Sequence, residues 1–319
     1  MRFTRPRAQR STATRPSILA LCLALTGACS STSGSTPSEA DLIPLVEPYD
    51  PAANRRQRDP IGTVLLELDL SMEDWNKLIL TARTGEQRNQ ASLLEKDIMR
   101  RVHLYLDELV IQLETGPPAN RIVSAMALGF SRDRAVLSPL LAALEDVHPA
   151  VVNNALLGLA LLGQSDTPLG GAALLLREAT DPTTRHNAAY ALLHCVNNGS
   201  DPAVALASAR LGLADEHPGV RAQCALLLAT AGDTASLDDL IARLSDDVQL
   251  PASAAARALG SLGRGDNHYK GKVARALAAA LGRAEGGLRV SLLRELARLA
   301  GVNMGEEAEP WVEWAHRLP

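Results

Sequence analysis

A block reading loosely V-R-x-x-A-A-x-A-L-G-x-L-G returns about six times between residues 120 and 300. Its anchoring leucines are Leu128, Leu159, Leu192, Leu228, Leu259 and Leu296, spaced 31, 33, 36, 31 and 37 residues apart. Within each copy the apolar residues keep a helical period and not the alternation of a strand. A unit of this length holds two short helices and cannot bury its apolar face alone, so the copies must stack. The expected fold is all-α: an α-solenoid (α-α superhelix) of about six helical hairpins.

The second helix of each hairpin is expected over residues 121–130, 151–163, 184–196, 220–232, 252–263 and 288–301. Paired small residues (Ala188-Ala189, Cys224-Ala225, Ala255-Ala256) let neighbouring helices approach, and the Leu that follows fills the space between layers. First helices show Leu137, Leu140, Leu141 and Leu144, then Leu237, Leu240, Ile241 and Leu244, the i, i+3, i+4, i+7 stripe of an amphipathic helix. Pro118, Pro149, Pro182, Pro218 and Pro251 are placed to open the second helices, where a missing N–H costs nothing. Asp133, Asp166, Asp201, Asp233 and Asp266 recur between units, where a carboxylate can cap the next helix.

The pattern resembles the HEAT family, in particular the short bacterial HEAT-like repeats of phycobilisome-lyase-type proteins. The residues that carry the likeness are the inter-repeat Asp series, the Arg of the second slot (Arg121, Arg185, Arg221, Arg289) and the Ala-Leu-Gly core (Ala127-Leu128-Gly129, Ala258-Leu259-Gly260). The resemblance implies that such Asp and Arg residues hydrogen-bond along the stack. Val152 and Ala252 replace the Arg in two copies, so the ladder is expected to be interrupted there. Thr167-Pro168-Leu169 looks like an ankyrin signature but occurs once and lacks the His. Tetratricopeptide aromatic slots are absent.

Repeats are expected over residues 105–301, between a helical cover at 61–104 and a Trp-containing cap at 302–319. Glu86 to Glu114 reads as one long, highly charged helix with a narrow apolar stripe. Thr63 to Leu70 fits a strand or part of a helix, and Ser71 followed by Asp74 looks like a helix start. Trp311 and Trp314, three apart after Pro310, can close the apolar end of the last repeat or serve as a recognition anchor.

Upstream of the cover, Arg2, Arg5, Arg7, Arg10 and Arg15 precede an apolar run from Ile18 to Leu25 and the small residues Gly27 and Ala28. That layout is a secretory signal peptide over residues 1–28, too short in its apolar part to span a bilayer. Leu25-Thr26-Gly27-Ala28-Cys29 resembles a bacterial lipobox, with Thr26 where Leu is usual. The resemblance implies lipidation (palmitate) of Cys29; the alternative is ordinary cleavage with Cys29 a bystander. Ser30 in place of Asp implies, by the same resemblance, the outer membrane. Residues 29–60, rich in Ser, Thr and Pro, are expected to form a disordered tether.

Removing the leader's five Arg leaves 27 Lys and Arg against 36 Asp and Glu, a net charge of −9. That balance argues against nucleic acid as the main partner. Beyond the leader and Cys29, only Cys195 and Cys224 remain; their slots lie seven residues apart, too far for a disulfide. Seven His are scattered, none followed by Glu, unlike the paired ligands of HEAT-repeat deoxyhypusine hydroxylases. No C-x-x-C, H-E-x-x-H, nucleophile elbow or phosphate-binding loop occurs. His148 and His217 precede Pro in turns, as solvated loop residues. No catalytic residue, cofactor or metal is expected, a ligand pair from His186 with His194 or Cys195 being the lesser reading.

The second-helix slots expected on the concave side hold Asn153, Asn154, His186, Asn187, Tyr190, His194 and Gln223, passing into Arg257, Arg294 and Arg298. They are the candidate binding surface for a protein or extended peptide, or for an acidic partner; the plainer alternative is an ordinary solvated face. The expectation is a non-enzymatic scaffold, lipid-anchored in a bacterial cell envelope. The alternative is a lyase or cofactor-handling enzyme, as the phycobilisome-lyase resemblance allows.

Overall fold

The computed structural model describes residues 59–319. The leader, the lipobox with Cys29, and the tether up to residue 58 lie outside the described residues. Every regular element among those described is helical: fifteen α-helices and three short 3-10 turns. Six hairpins form the body. They pair α3 (Leu106–Thr115) with α4 (Pro118–Gly129), α5 (Leu137–Ala142) with α6 (Pro149–Leu162), and α7 (Gly170–Glu178) with α8 (Pro182–Asn197). The next three pair α9 (Leu206–Gly212) with α10 (Pro218–Thr230), α11 (Leu237–Arg243) with α12 (Gln249–Gly265), and α13 (Asn267–Leu281) with α14 (Gly286–Ala300).

The second helices α4, α6, α8, α10, α12 and α14 pack on one another in that order and form one layer, with the first helices in a second layer outside it. All six anchor leucines are at most 2% exposed. Each such burial stabilises the stack by about 1.5–3 kcal/mol. Close approach between helices is literal at α4 and α6. A Cβ added to Gly129 would lie 2.4 Å from the Gly158 carbonyl oxygen, and one added to Gly158 would lie 2.4 Å from that of Ala125. The described residues thus form an all-helical solenoid of six stacked hairpins, as the repeat period predicts.

Helix starts follow the prolines, with one correction. Pro118, Pro149, Pro182 and Pro218 open their helices, but Pro251 is the third residue of α12. It still falls in the first turn, where N–H groups have no helical partner. The inter-repeat Asp series divides. Asp133, Asp201 and Asp266 accept N–H bonds from Ala135, Ala203 and His268 at 2.8–3.0 Å. Asp166 and Asp233 instead form ion pairs, with Arg134 and Arg210 respectively.

The cover departs from expectation in two ways. First, α1 (Ile61–Thr81) is one unbroken helix, so Thr63–Leu70 is helical and no helix begins at Ser71. Its buried stripe Val64, Leu65, Leu68, Met72 and Trp75 keeps helical phase straight past Ser71. Trp75 meets Phe130 of the first repeat edge-on, ring centroids 5.0 Å apart. Second, the long helix predicted over 86–114 breaks at Tyr105 (φ −118°, ψ 24°) into α2 (Gly85–Leu104) and α3. The Tyr105 ring is buried and its hydroxyl accepts the Asp59 N–H at 3.0 Å, which fixes the corner. Only α1 and α2 act as cover; α3 belongs to the first hairpin. At the other end α15 (Ala308–His316) packs on α13. Trp311 is fully buried, and its indole N–H donates to the Gly305 carbonyl at 3.0 Å. It closes the apolar end and is not an exposed anchor.

Candidate interaction surface

Within the stack a second helix has neighbours on two sides and its own first helix on a third, whereas the last, α14, meets another second helix on one side only. The centre of the remaining strip is exposed on α12 and α14, half-buried on α4, α6 and α10, and buried on α8. On α12 that strip is marked by Ser253, Arg257, Ser261 and Arg264, and on α14 by Val290, Arg294 and Arg298. The slot two residues before the anchor Leu lies at its centre and holds Met126, Leu157, Tyr190, Leu226, Arg257 and Arg294 in the six copies. Met126, Leu157 and Leu226 are half-buried, forming a shallow apolar ridge.

The structure moves several predicted surface residues inside. His186, Asn187, Tyr190 and Gln223 are only 4–6% exposed. Asn153, Asn154 and His194 are half-buried, and Arg257 and Arg294 are exposed. Asn154, Asn187 and Gln223 all stand five residues before an anchor Leu, a slot that faces the adjoining second helix. Asn154 shows its use: its side-chain amide donates to the Ile122 carbonyl of the preceding repeat at 2.8 Å. The amide oxygens of Asn153, Asn187 and Gln223 are buried without a hydrogen-bond partner. Leaving such an acceptor unmet costs about 1–3 kcal/mol. These amides belong to the packing between repeats.

The histidines behave likewise. His186 packs against α10, where a Cβ on Gly219 would come within 2.9 Å of its ring, and its centroid is 5.8 Å from that of His217. Burial, with His217 adding to it, pushes His186 down to about 4. His194 lies over the Tyr190 ring at 4.3 Å, and burial pushes it down to about 4 as well. Both are neutral near pH 7, so the middle of the face carries no histidine charge. His148 and His217 are half-buried and not free loop residues. His148 Nδ1 accepts the Ala150 N–H at 3.3 Å and caps α6, while His217 Nδ1 is buried without a partner. Cys195 and Cys224 are buried and unpaired. Burial pushes the Cys195 thiol up to about 12 and raises Cys224 still further, so neither supplies a thiolate nucleophile. Among the described residues no group of three or more His, Cys, Asp or Glu is placed to hold a metal ion. No described helix is long and apolar enough to cross a membrane.

The Arg ladder exists but uses other carboxylates than the inter-repeat Asp series. Arg121, Arg185 and Arg221 reach forward to Asp146, Asp215 and Asp246, in the turn inside the following hairpin. Each pair is bidentate, at 2.7–3.0 Å. That geometry is the strong form of the contact. Where Val152 stands, the turn residue Asp181 instead caps α8 through the Thr183 and Thr184 N–H groups. Past Ala252 the turn before α14 holds Glu285, which makes no side-chain cap bond. Arg289 donates to the Leu281 and Glu306 carbonyls.

Sequence reasoning missed Glu295. It is 1% exposed and accepts from Arg264 at 2.8 Å and Arg298 at 2.9 Å. A Cβ on Gly260 would lie 2.5 Å from its carboxylate, so Gly260 makes room for it. The signal was present: the slot before the anchor Leu is Ala127, Gly158, Ala191, Leu227 and Ala258 in the other copies.

Comparison with known proteins finds the repeat in part of the chain. A HEAT-repeat family model matches residues 106–193, the span of the first three hairpins, where the likeness expected from the sequence is therefore found. Similar solved structures include a designed armadillo repeat protein, 18% identical, with 61% of this chain and 99% of that one covered and a TM-score of 0.48. A second is a computationally designed armadillo repeat protein for modular peptide recognition, 18% identical, 66% and 98% covered, TM-score 0.45. A third is human deoxyhypusine hydroxylase, 17% identical, 76% and 98% covered, TM-score 0.35. No curated protein matches.

Proposed function

We propose that this HEAT-repeat solenoid is a non-enzymatic scaffold, held at a bacterial envelope membrane by lipid on Cys29, whose second-helix layer docks a segment of another protein. The observation that carries the docking reading is the half-buried apolar ridge of Met126, Leu157 and Leu226 on the second-helix layer, which dips at the buried Tyr190 and leads to the exposed Arg257 and Arg294. Stacked repeats create extended surfaces of this kind without needing a reactive centre. The anchor and its outer-membrane placement rest on Leu25-Thr26-Gly27-Ala28-Cys29 and on Ser30.

A photo-crosslinking residue at position 157 or 226 of the full chain, in its host, tests the docking face. Adducts are expected from these positions and not from Leu174 on the outer helix α7. Equal labelling at all three, or none at the ridge, removes the reading. Labelled-palmitate incorporation tests the anchor separately, and should vanish on Cys29→Ala.

A further inference from the structure

Charge is unevenly spread along the stack. Residues 249–300, which span α12 to α14, hold nine Lys and Arg against three Asp and Glu, in a chain of net charge −4. On the open strip the change is abrupt. The central slot passes from Met126, Leu157, Tyr190 and Leu226 to Arg257 and Arg294 in the last two copies. Both guanidinium groups are exposed, and neither has a hydrogen bond or ion pair with any described residue. Further along the same two helices, Arg264 and Arg298 share the one buried carboxylate of Glu295. One carboxylate cannot neutralise two guanidinium groups, so α12 and α14 together present an excess of positive charge held in place from beneath.

We propose that this end of the face binds an acidic, extended segment of a partner protein, its carboxylates on Arg257 and Arg294 and its apolar side chains on the Leu226 and Leu157 ridge. The inference rests on the docking reading above and adds the partner's chemistry. Arg favours carboxylates because its planar fork donates two parallel hydrogen bonds to them. Stacked helices lie about 10 Å apart, and an extended chain rises about 3.3 Å per residue. One repeat thus corresponds to about three peptide residues, and acidic residues three apart match Arg257 and Arg294. A nucleic acid fits less well. It would meet phosphate partners on only two helices and an apolar ridge on the others, in an acidic chain.

The test is fluorescence anisotropy on the full chain with labelled fifteen-residue peptides. Two Leu six apart, matching Leu157 and Leu226 on alternate second helices, precede or follow two Glu three apart, with three residues from the nearer Leu to the nearer Glu, so both directions are sampled, and a counterpart carries Lys for Glu. Binding of one Glu peptide is expected, weakened about tenfold or more by the Lys exchange, by Arg257→Glu with Arg294→Glu, or by high salt. Arg257→Gln with Arg294→Gln should lose less, and Arg177→Glu on the outer layer nothing, with circular dichroism unchanged throughout. Equal affinity for Glu and Lys peptides, or wild-type binding by the double Glu variant, overturns the proposal. If binding then still depends on Leu157→Asp and Leu226→Asp, the docking face stands and only the acidic partner falls. If no peptide binds, the proposal falls, and absence of ridge crosslinks would take the docking face with it. Arg-dependent binding of phosphatidylglycerol vesicles or oligothymidine, without binding of the Glu peptides, also overturns it.

Discussion

Replacing Arg221 by Met should uncouple the fourth repeat from the fifth. Arg221 Nε and Nη2 reach the two oxygens of Asp246 at 2.8 and 2.7 Å, and its Nη1 donates to the Asp215 and Glu216 carbonyls. The pair is buried: the Arg side chain is 10% exposed and that of Asp246 1%. Removing the cation leaves a buried carboxylate with the Val248 N–H and a long contact to Arg243. Breaking a buried pair on one side costs about 3–5 kcal/mol, and Met retains part of the packing, so about 3 kcal/mol is expected. Urea unfolding followed by circular dichroism, with hydrogen exchange resolving α10 and α12, measures it. Arg134→Met, which breaks a pair open to solvent, should change nothing measurable. In an Asp246→Asn background, which keeps the cap, the Arg221→Met loss should shrink, giving a coupling of about 2 kcal/mol. A loss under about 1 kcal/mol, or no coupling, would refute the view that these pairs lock successive repeats.

Gly158→Ala should destabilise by at least about 1–3 kcal/mol, read as a lower urea midpoint, because its Cβ would strike the Ala125 carbonyl, a backbone group that cannot swing aside. His186 and His194 have folded values lowered from 6.5 to about 4. The unfolded chain therefore takes up protons first, and stability falls as pH drops from about 6.5 towards 4; the midpoint difference between about pH 7 and pH 5 should narrow in a His186→Gln, His194→Gln double variant. For Asp246, burial would raise the carboxyl, yet hydrogen bonds from Arg221 and the Val248 N–H hold it below its usual range. Its contribution is present above about pH 4 and is lost on further acidification, so Asp246→Asn should flatten stability only in that lower window.

The hairpin count, the six anchors and the second helices were legible because each depends on residues within one repeat. Leu128 and Leu296 are buried for the same reason, and a period shared by six copies exposes it. The Arg of the second slot was legible too, as were the gaps at Val152 and Ala252. Its partner was not: a carboxylate ahead of the helix and one in the next hairpin's turn look alike in a linear string. Tyr105 hid the break between α2 and α3, since the apolar stripe runs through it in phase. Glu295 was readable as the one charged member of an otherwise apolar slot, but its role depends on Gly260 opposite.

What the linear order of residues determined by itself is therefore the phase of each helix against its own hairpin: which leucine points inward, where the four proline-opened second helices begin, how often the unit returns. Which remaining slots see water was decided by tertiary stacking. A helix covered on both flanks keeps only a narrow strip, so Asn187 and Gln223 lie inside while Arg257 remains outside; Tyr190, in the same slot as Arg257, is buried with His194 against its ring. Periodicity sets direction relative to one helix axis, whereas exposure depends on the distance and tilt of its neighbours, which no single repeat encodes.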